Sequence, residues 1–375
     1  MDCNNLKVKD IGIKLDNVQI PGKFCNWYNN VIFEHRGRPY VALISIKAPG
    51  FSGKNEVSIS MGNGPVRMKT ESHKTLESIV KEDTGKSDAG QEEILVIEEP
   101  DLHVVNLNIK GDDAFRQTVS GDTITAKLGD TTSIECQVGK WHLKSKEGDF
   151  DVDLVFTARG PVVWWGEKPN ADQKLTEHTI INGFEALSDV TGHITYQGEK
   201  MDARGRGVAE HVWIEKLDMM ELRYVDWVVI NFDQSYFMFY SGEGAVPPRS
   251  LAHYQTGSVC LAEDKKFWSI TKIKVEHTKW AYSPVALRFI PISNTITLET
   301  SEGVLVCQVE PLISPTFVTI RRMENVSFYD IPGWAFYYWD APYKATGTFT
   351  YSNGRVLKLT NGLGVNEPQR VSPLT

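Results

Sequence analysis

Residues 205–217, GRGVAEHVWIEKL, put an acid, a histidine and a tryptophan within four positions of an otherwise extended pattern. In a strand successive side chains alternate faces, so His211, Trp213 and Glu215 share one side and Glu210, Val212 and Ile214 the other. An imidazole near its ordinary pKa can give or take a proton at neutral pH. A carboxyl held protonated by apolar surroundings can protonate an isolated alkene, and aromatic faces can hold the cation that follows. Glu210, Asp226 and Asp233 are the acids near enough in sequence to act so, and Glu210, His211 and Asp233 form the candidate catalytic set. Cyclisation of a preformed polyene asks for less, namely a shaped apolar cavity and one or two hydrogen-bond donors. His211, Tyr236, Tyr240 and Trp213 could supply these. The candidate substrate wall is Trp213, Trp227, Tyr236, Met238, Tyr240, Trp334 and Trp339. Gly205 and Gly207 mark a bulge or a close approach to the backbone, and are read as leaving room beside the His-Trp pair.

Other chemistries lack their residues. The nine histidines give no H-x-H or H-x-x-x-H pair, so no metal shell is expected. Neither a nucleophile elbow nor a glycine-rich phosphate loop before a helix is present, and cofactor-free chemistry is the consistent reading. A net charge of −8 and a pI near 5.7 provide no basic field for nucleic acid. The five cysteines are scattered and never spaced C-x-x-C, which suggests neither a disulfide framework nor a zinc knuckle. With no apolar leader and no run of about 18 apolar residues, the expectation is a cytoplasmic protein without stable membrane insertion. Its partner is a hydrophobic small molecule.

The elements that must position these residues are strands. Period-2 alternation recurs in YVALISIKA (40–48), LHVVNLNIK (102–110), DTITAKLGD (122–130), FDVDLVFTA (150–158) and GTFTYSNGRVLKLTNG (347–362), the pattern of half-buried antiparallel strands. The Asn353-Gly354 pair predicts a type I′ hairpin turn. SHKTLESIVKED (72–83) predicts one helix, capped by Ser72, with Leu76, Ile79 and Val80 on one face. At 375 residues two domains are expected. Gly, Pro, Asn and Asp collect at 160–175, which predicts domains at 1–168 and 176–375. The second half is richer in aromatics, with PGWAFYYWDAPY (332–343) suited to a pocket wall.

The run HTIINGFEALSDVTGHITYQGEKMDARGRGVAEHVW (178–213) resembles the segment opening the second domain of the AttH and hydroxyneurosporene-synthase (carotenoid hydratase) superfamily. Gly192, Gly198, Gly205, Gly207, Glu210, His211 and Trp213 occupy the positions of its G-x-i-x-x-x-G…v-x-G-x-g-x-x-(D/E)-H-x-W pattern. The resemblance is good over about 60 residues, weaker through the rest of the second half and only architectural in the first. It implies an all-β chain of two lipocalin-like antiparallel β-barrels packed together around a hydrophobic ligand pocket. Members hydrate carotenoid double bonds or prenyl groups, or cyclise polyenes without a cofactor. In the carotenoid hydratases a Tyr-x-Asp in the next strand joins the His-x-Trp pair. The nearest counterpart here, Tyr236-Phe237-Met238, has methionine where the acid belongs. The expected function is a cofactor-independent cyclase or hydratase acting on an isoprenoid- or polyketide-derived hydrophobe. The alternative is a non-catalytic carrier of such a molecule, and a carbohydrate-binding sandwich is disfavoured because the aromatics crowd beside apolar residues.

Overall fold

The structure, a computed structural model, describes residues 24–49, 54–74, 91–111, 114–165, 173–175, 179–216, 224–244, 252–264, 266–284, 288–314, 317–321 and 334–373. These form 25 strands and no helix. The strands are β1 (Phe24–His35), β2 (Arg38–Lys47), β3 (Glu56–Asn63), β4 (Met68–Lys74), β5 (Gln91–Ile97), β6 (Leu102–Ile109), β7 (Phe115–Ser120) and β8 (Thr123–Leu128). They continue with β9 (Thr132–Gln137), β10 (Lys140–Glu147), β11 (Phe150–Ala158), β12 (Val163–Trp164), β13 (Gln173–Lys174), β14 (Ile180–Tyr196), β15 (Glu199–Asp202) and β16 (Gly205–Lys216). The last nine are β17 (Tyr224–Asn231), β18 (Ser235–Gly244), β19 (Ala252–Leu261), β20 (Lys266–Ser283), β21 (Arg288–Thr300), β22 (Gly303–Pro311), β23 (Phe317–Arg321), β24 (Trp334–Tyr351) and β25 (Val356–Pro373).

Two sheets result. The first runs β6-β3-β2-β1-β16-β14-β11-β10-β9-β8-β7, with β12, β13 and β15 attached to β14. It curls around a core containing Trp27, Trp141, Phe156, Phe184 and Trp213. The second runs β19-β18-β17-β25-β24-β22-β21-β20, and the further pairing of β19 with β20 closes these eight strands into a barrel. Phe232, Phe237, Phe239, Tyr343 and Phe349 fill it. A third apolar cluster, including Tyr28, Val208, Trp227, Tyr236, Met238 and Tyr240, lies where the sheets meet.

Every strand segment read from the sequence alternation is found as a strand. Two local expectations change. Ser72, His73 and Lys74, placed at the head of a helix, instead end β4 and pair with Gln91–Glu93 of β5; Leu76, Ile79 and Val80 lie outside the described residues. The 351–356 hairpin forms, but only Gly354 has a positive φ (+85°), and Tyr351 N donates to Arg355 O. This is the three-residue loop of a type I turn followed by a left-handed residue, not a type I′ turn. Paired positive φ values occur instead at Arg36-Gly37 and Gln197-Gly198.

The sheets do not divide at 160–175. Strands β12 and β13 within that break and β14, β15 and β16 beyond it continue the first sheet, which parts from the second between β16 and β17. In the other direction, the β4-β5 hairpin leaves the first half of the chain and joins β20 through Val96 and Tyr282.

Candidate functional site

Strand β16 sits between β1 and β14, and its two faces look into different spaces. Antiparallel register sets Tyr28 opposite Glu210 and Glu210 opposite Glu185, while Trp27, His211 and Phe184 form the neighbouring row. Alternation then sends the two rows to opposite sides. Glu210 is therefore separated from His211 and Trp213 by the backbone itself, as the alternation requires.

His211 and Trp213 point into the core of the first sheet. His211 is fully enclosed, stacks on Trp27 with ring centroids 3.6 Å apart and planes 5° from parallel, and meets Phe184 edge-on at 5.9 Å. Trp213 lies 4.9 Å away, and Cys25 Sγ is 3.4 Å from Nε2. Burial pushes the Cys25 thiol up, far from the thiolate range. Gly205 and Gly207 do not leave room beside this pair. A Cβ at either would collide with a carbonyl of β1, that of Ile32 or of Asn30, so these glycines let β1 and β16 approach closely.

Glu210 points the other way, into the space between the sheets. Glu185 beside it on β14 is fully buried and accepts a hydrogen bond from Trp227 Nε1 of the second sheet at 3.0 Å. Burial raises the Glu185 carboxyl to about 8. Glu210 is pushed well above the ordinary carboxylate range, first by burial and then by the Glu185 carboxyl next to it, to which it donates its proton. Tyr28 meets Trp227 edge-on at 5.6 Å, Trp165 meets Tyr240 at 5.3 Å, and Tyr240 stacks near Tyr254 at 5.7 Å. Burial, with Glu367, Glu210 and Asp226 nearby, raises the Tyr240 phenol so that it stays neutral. Glu210 keeps 8%, Tyr28 7% and Tyr240 6% of their accessible surface.

The other candidates disperse. Tyr236 and Met238 join the cluster between the sheets, with the Tyr236 hydroxyl donating to Pro161 O at 3.3 Å. Asp233 is no hidden acid. It is ion-paired with Arg206 and accepts from Asn361 Nδ2 at 2.7 Å, and Arg206 before all holds its carboxyl below the usual range. Trp334 and Trp339 lie in β24, with side chains outside the described residues. The strand after β16 is β17, which carries Tyr224-Val225-Asp226, whereas Tyr236-Phe237-Met238 lies one strand further on, in β18. Tyr224 and Asp226 help line a cavity of about 370 Å³ with Ser241 and His277. There His277 Nδ1 donates to Asn294 Oδ1 at 2.6 Å, and Nε2 accepts from the Tyr224 hydroxyl at 2.8 Å.

Sequence reasoning passed over Glu185, Tyr28 and Trp165. The signal for Glu185 was available, since it is flanked on both sides by apolar or small residues in NGFEAL, where an acid implies burial with a partner. Among the described residues no group of three His, Cys, Asp or Glu is placed to hold a metal ion.

Residues 107–257 match a family of unknown function, DUF6670. No curated protein matches the sequence. Among solved structures, a protein assigned as AttH from Nitrosomonas europaea superposes with a TM-score of 0.58 at 16% identity, covering 96% of this chain and 98% of that one. Kievitone hydratase from Nectria haematococca superposes at 0.53 with 10% identity, covering 96% and 92%. CghA, solved with Sch210972, superposes at 0.57 with 7% identity, covering 94% and 89%. The chain thus has the all-β, lipocalin-like AttH fold that residues 178–213 led one to expect, with one closed eight-stranded barrel and one curled, open sheet.

Proposed function

We propose that the protein is an acid catalyst for a hydrophobic alkene, hydrating or cyclising it in the space between the two sheets. The observation that carries this is the Glu210–Glu185 pair, a carboxyl kept protonated by burial beneath aromatic rings. Glu210 delivers its proton to one carbon of the double bond. The faces of Tyr28, Trp227 and Tyr240 hold the resulting cation, and the Glu185 hydroxyl turns to donate to the new Glu210 carboxylate. Either water adds and returns a proton to Glu210, or a second double bond of the same substrate closes a ring and an adjacent C–H returns it. In both cases the acid is regenerated. The hydratase among the fold neighbours supports this reading, as does the resemblance at 178–213.

A second reading moves the acid to Asp226, on the opposite face of β17 from Trp227. The Tyr224-x-Asp226 motif and its cavity favour it. Glu210→Gln and Asp226→Asn separate the two. Each would be incubated with a panel of polyenes and prenylated aromatics, and products detected as a gain of one water or as an isomer. Glu210→Gln is expected to lose the roughly 10²- to 10⁴-fold typical of a missing general acid while its melting temperature holds. Full activity in Glu210→Gln with loss in Asp226→Asn would move the site. Saturable binding with no product in wild type would make the protein a carrier.

A further inference from the structure

Beside the acid pair, the seam between the sheets contains buried polar atoms that no group among the described residues satisfies. Asn26 Oδ1, Asn30 Nδ2, Glu185 Oε2 and Trp165 Nε1 are all without a hydrogen-bond partner. More than nine in ten buried polar groups in folded proteins are paired; unpaired atoms also occur elsewhere, as at Trp27 Nε1 and Trp141 Nε1 in the first sheet's core, and what sets the seam apart is the arrangement of its unpaired groups beside the acid pair. Their positions are ordered. Asn26, Tyr28 and Asn30 are alternate residues of β1 on one face, and Tyr28 is the direct cross-strand partner of Glu210. Asn26 and Asn30 are therefore the two diagonal neighbours of Glu210, each about 7 to 8 Å from it. Both asparagines are at least nine-tenths buried, at 8% and 2% exposure. Trp165 is brought to the Asn26 end, because its backbone N–H donates to Gly183 O and Gly183 pairs with Val212, as Asn26 does.

We infer that Asn30, Asn26 and Trp165 are substrate-positioning residues, and that the substrate is an oxygenated alkene and not a bare hydrocarbon. This rests on the assignment of the acid to Glu210. Asn30 donates to a carbonyl, ether or hydroxyl oxygen on one side of the reacting double bond. On the other side a second oxygen function fits, as a hydroxyl donating to Asn26 Oδ1 or as an acceptor from Trp165 Nε1. The two anchors are four residues apart along one strand, about 13 Å at the usual rise. A ligand filling both is thus an elongated molecule with an oxygen function toward each end and its double bond near the middle, over Glu210. Oxygen anchors fix which carbon of the alkene lies over the acid, which apolar walls alone cannot do.

The test compares wild type with Asn30→Leu, Asn30→Ser and Glu210→Gln. Matched pairs of ligands are used, a prenylated phenol or hydroxylated polyene against the hydrocarbon of the same chain length, and binding is followed by tryptophan fluorescence. The oxygenated ligand is expected to bind Asn30→Leu at least tenfold more weakly than wild type, with the hydrocarbon unchanged, and kcat/KM to fall mainly through KM. Without ligand, Asn30→Leu is expected to melt at or above the wild-type temperature, because an unsatisfied buried amide has been removed. A purely structural asparagine would lower it. Should the leucine be too large to fold, the smaller Asn30→Ser gives the same binding comparison. Unchanged selectivity between the paired ligands in a folded Asn30 variant overturns the anchor. If that occurs while Glu210→Gln is inactive, the acid reading survives alone. If Asn30 variants lose the oxygenated ligand while Glu210→Gln turns over normally, the anchor stands and the acid reading falls.

Discussion

At the residue scale, one step along β16 decides between two fates. His211 and Glu210 are neighbours in sequence, yet one stacks on Trp27 in a closed core and the other meets Glu185 and the aromatic seam. For His211 the geometry favours a packing role, so His211→Ala is expected to lower stability by about 2 to 4 kcal/mol, as large-to-small core changes do. Activity per folded molecule should stay near that of wild type. Chemical denaturation alongside product assays checks this, and a stable but inactive variant would restore a catalytic histidine. For the acid pair the sign of the pH effect follows from linkage. The folded-state value of Glu185 lies above its unfolded value, so the folded protein binds more protons between about pH 4.5 and 8, and stability falls as pH rises across that window. Glu185→Gln is expected to flatten the dependence, measured as melting temperature against pH. Catalysis should decline as pH passes about 8, because an ionised Glu185 holds the Glu210 proton more tightly.

At the element scale, the site is a row of strands in fixed register, and small residues set their spacing. Gly207 lies opposite Val31 on β1 and Ser188 on β14, and a Cβ there would strike the Asn30 carbonyl. Gly207→Ala is therefore expected to cost more than about 2 kcal/mol, beyond the usual range of surface changes. It should also weaken ligand binding by displacing Asn30, and a variant with wild-type melting and binding would argue against so close a contact. The hairpins show how much local sequence leaves open. Asn353-Gly354 carries the strongest type I′ signal in the chain yet adopts a three-residue loop, while Arg36-Gly37 and Gln197-Gly198 adopt paired positive φ values without an Asn-Gly signal. The register of the strands behind each turn chose the loop length.

At the scale of the whole molecule, the sheets are tied together by exchanged elements and by a polar lock. The β4-β5 hairpin joins the second sheet from within the first half of the chain. Arg159 and Arg206 reach across to the β17-β18 turn. Arg159 bonds Asn231 and the carbonyls of Phe232 and Asp233, and Arg206 bonds Asp233 and the carbonyls of Asn231 and Asn361. Fragments cut at 168 and 176 are therefore expected not to fold apart, each showing no cooperative melt, because the cut separates β1 from β16 and β11 and β12 from β14. Asp233→Ala should cost about 1 kcal/mol, the range of a partly exposed ion pair, with activity retained. A catalytic Asp233 would show the reverse.

The sequence by itself determined the all-β class, the positions of the alternating strands, the importance of the His-x-Trp strand and the superfamily likeness of its fold, since period-2 patterning and the glycine spacing are local signals. Tertiary structure decided what each side chain faces. Glu210 meets Tyr28, some 180 residues earlier in the chain, only because β1 pairs with β16. The acid pair arises only because that register also sets Glu185 opposite Glu210. A pKa raised by burial, and polar atoms left for a ligand to satisfy, depend on what two separate sheets enclose when they dock, and no window of neighbouring residues contains that information.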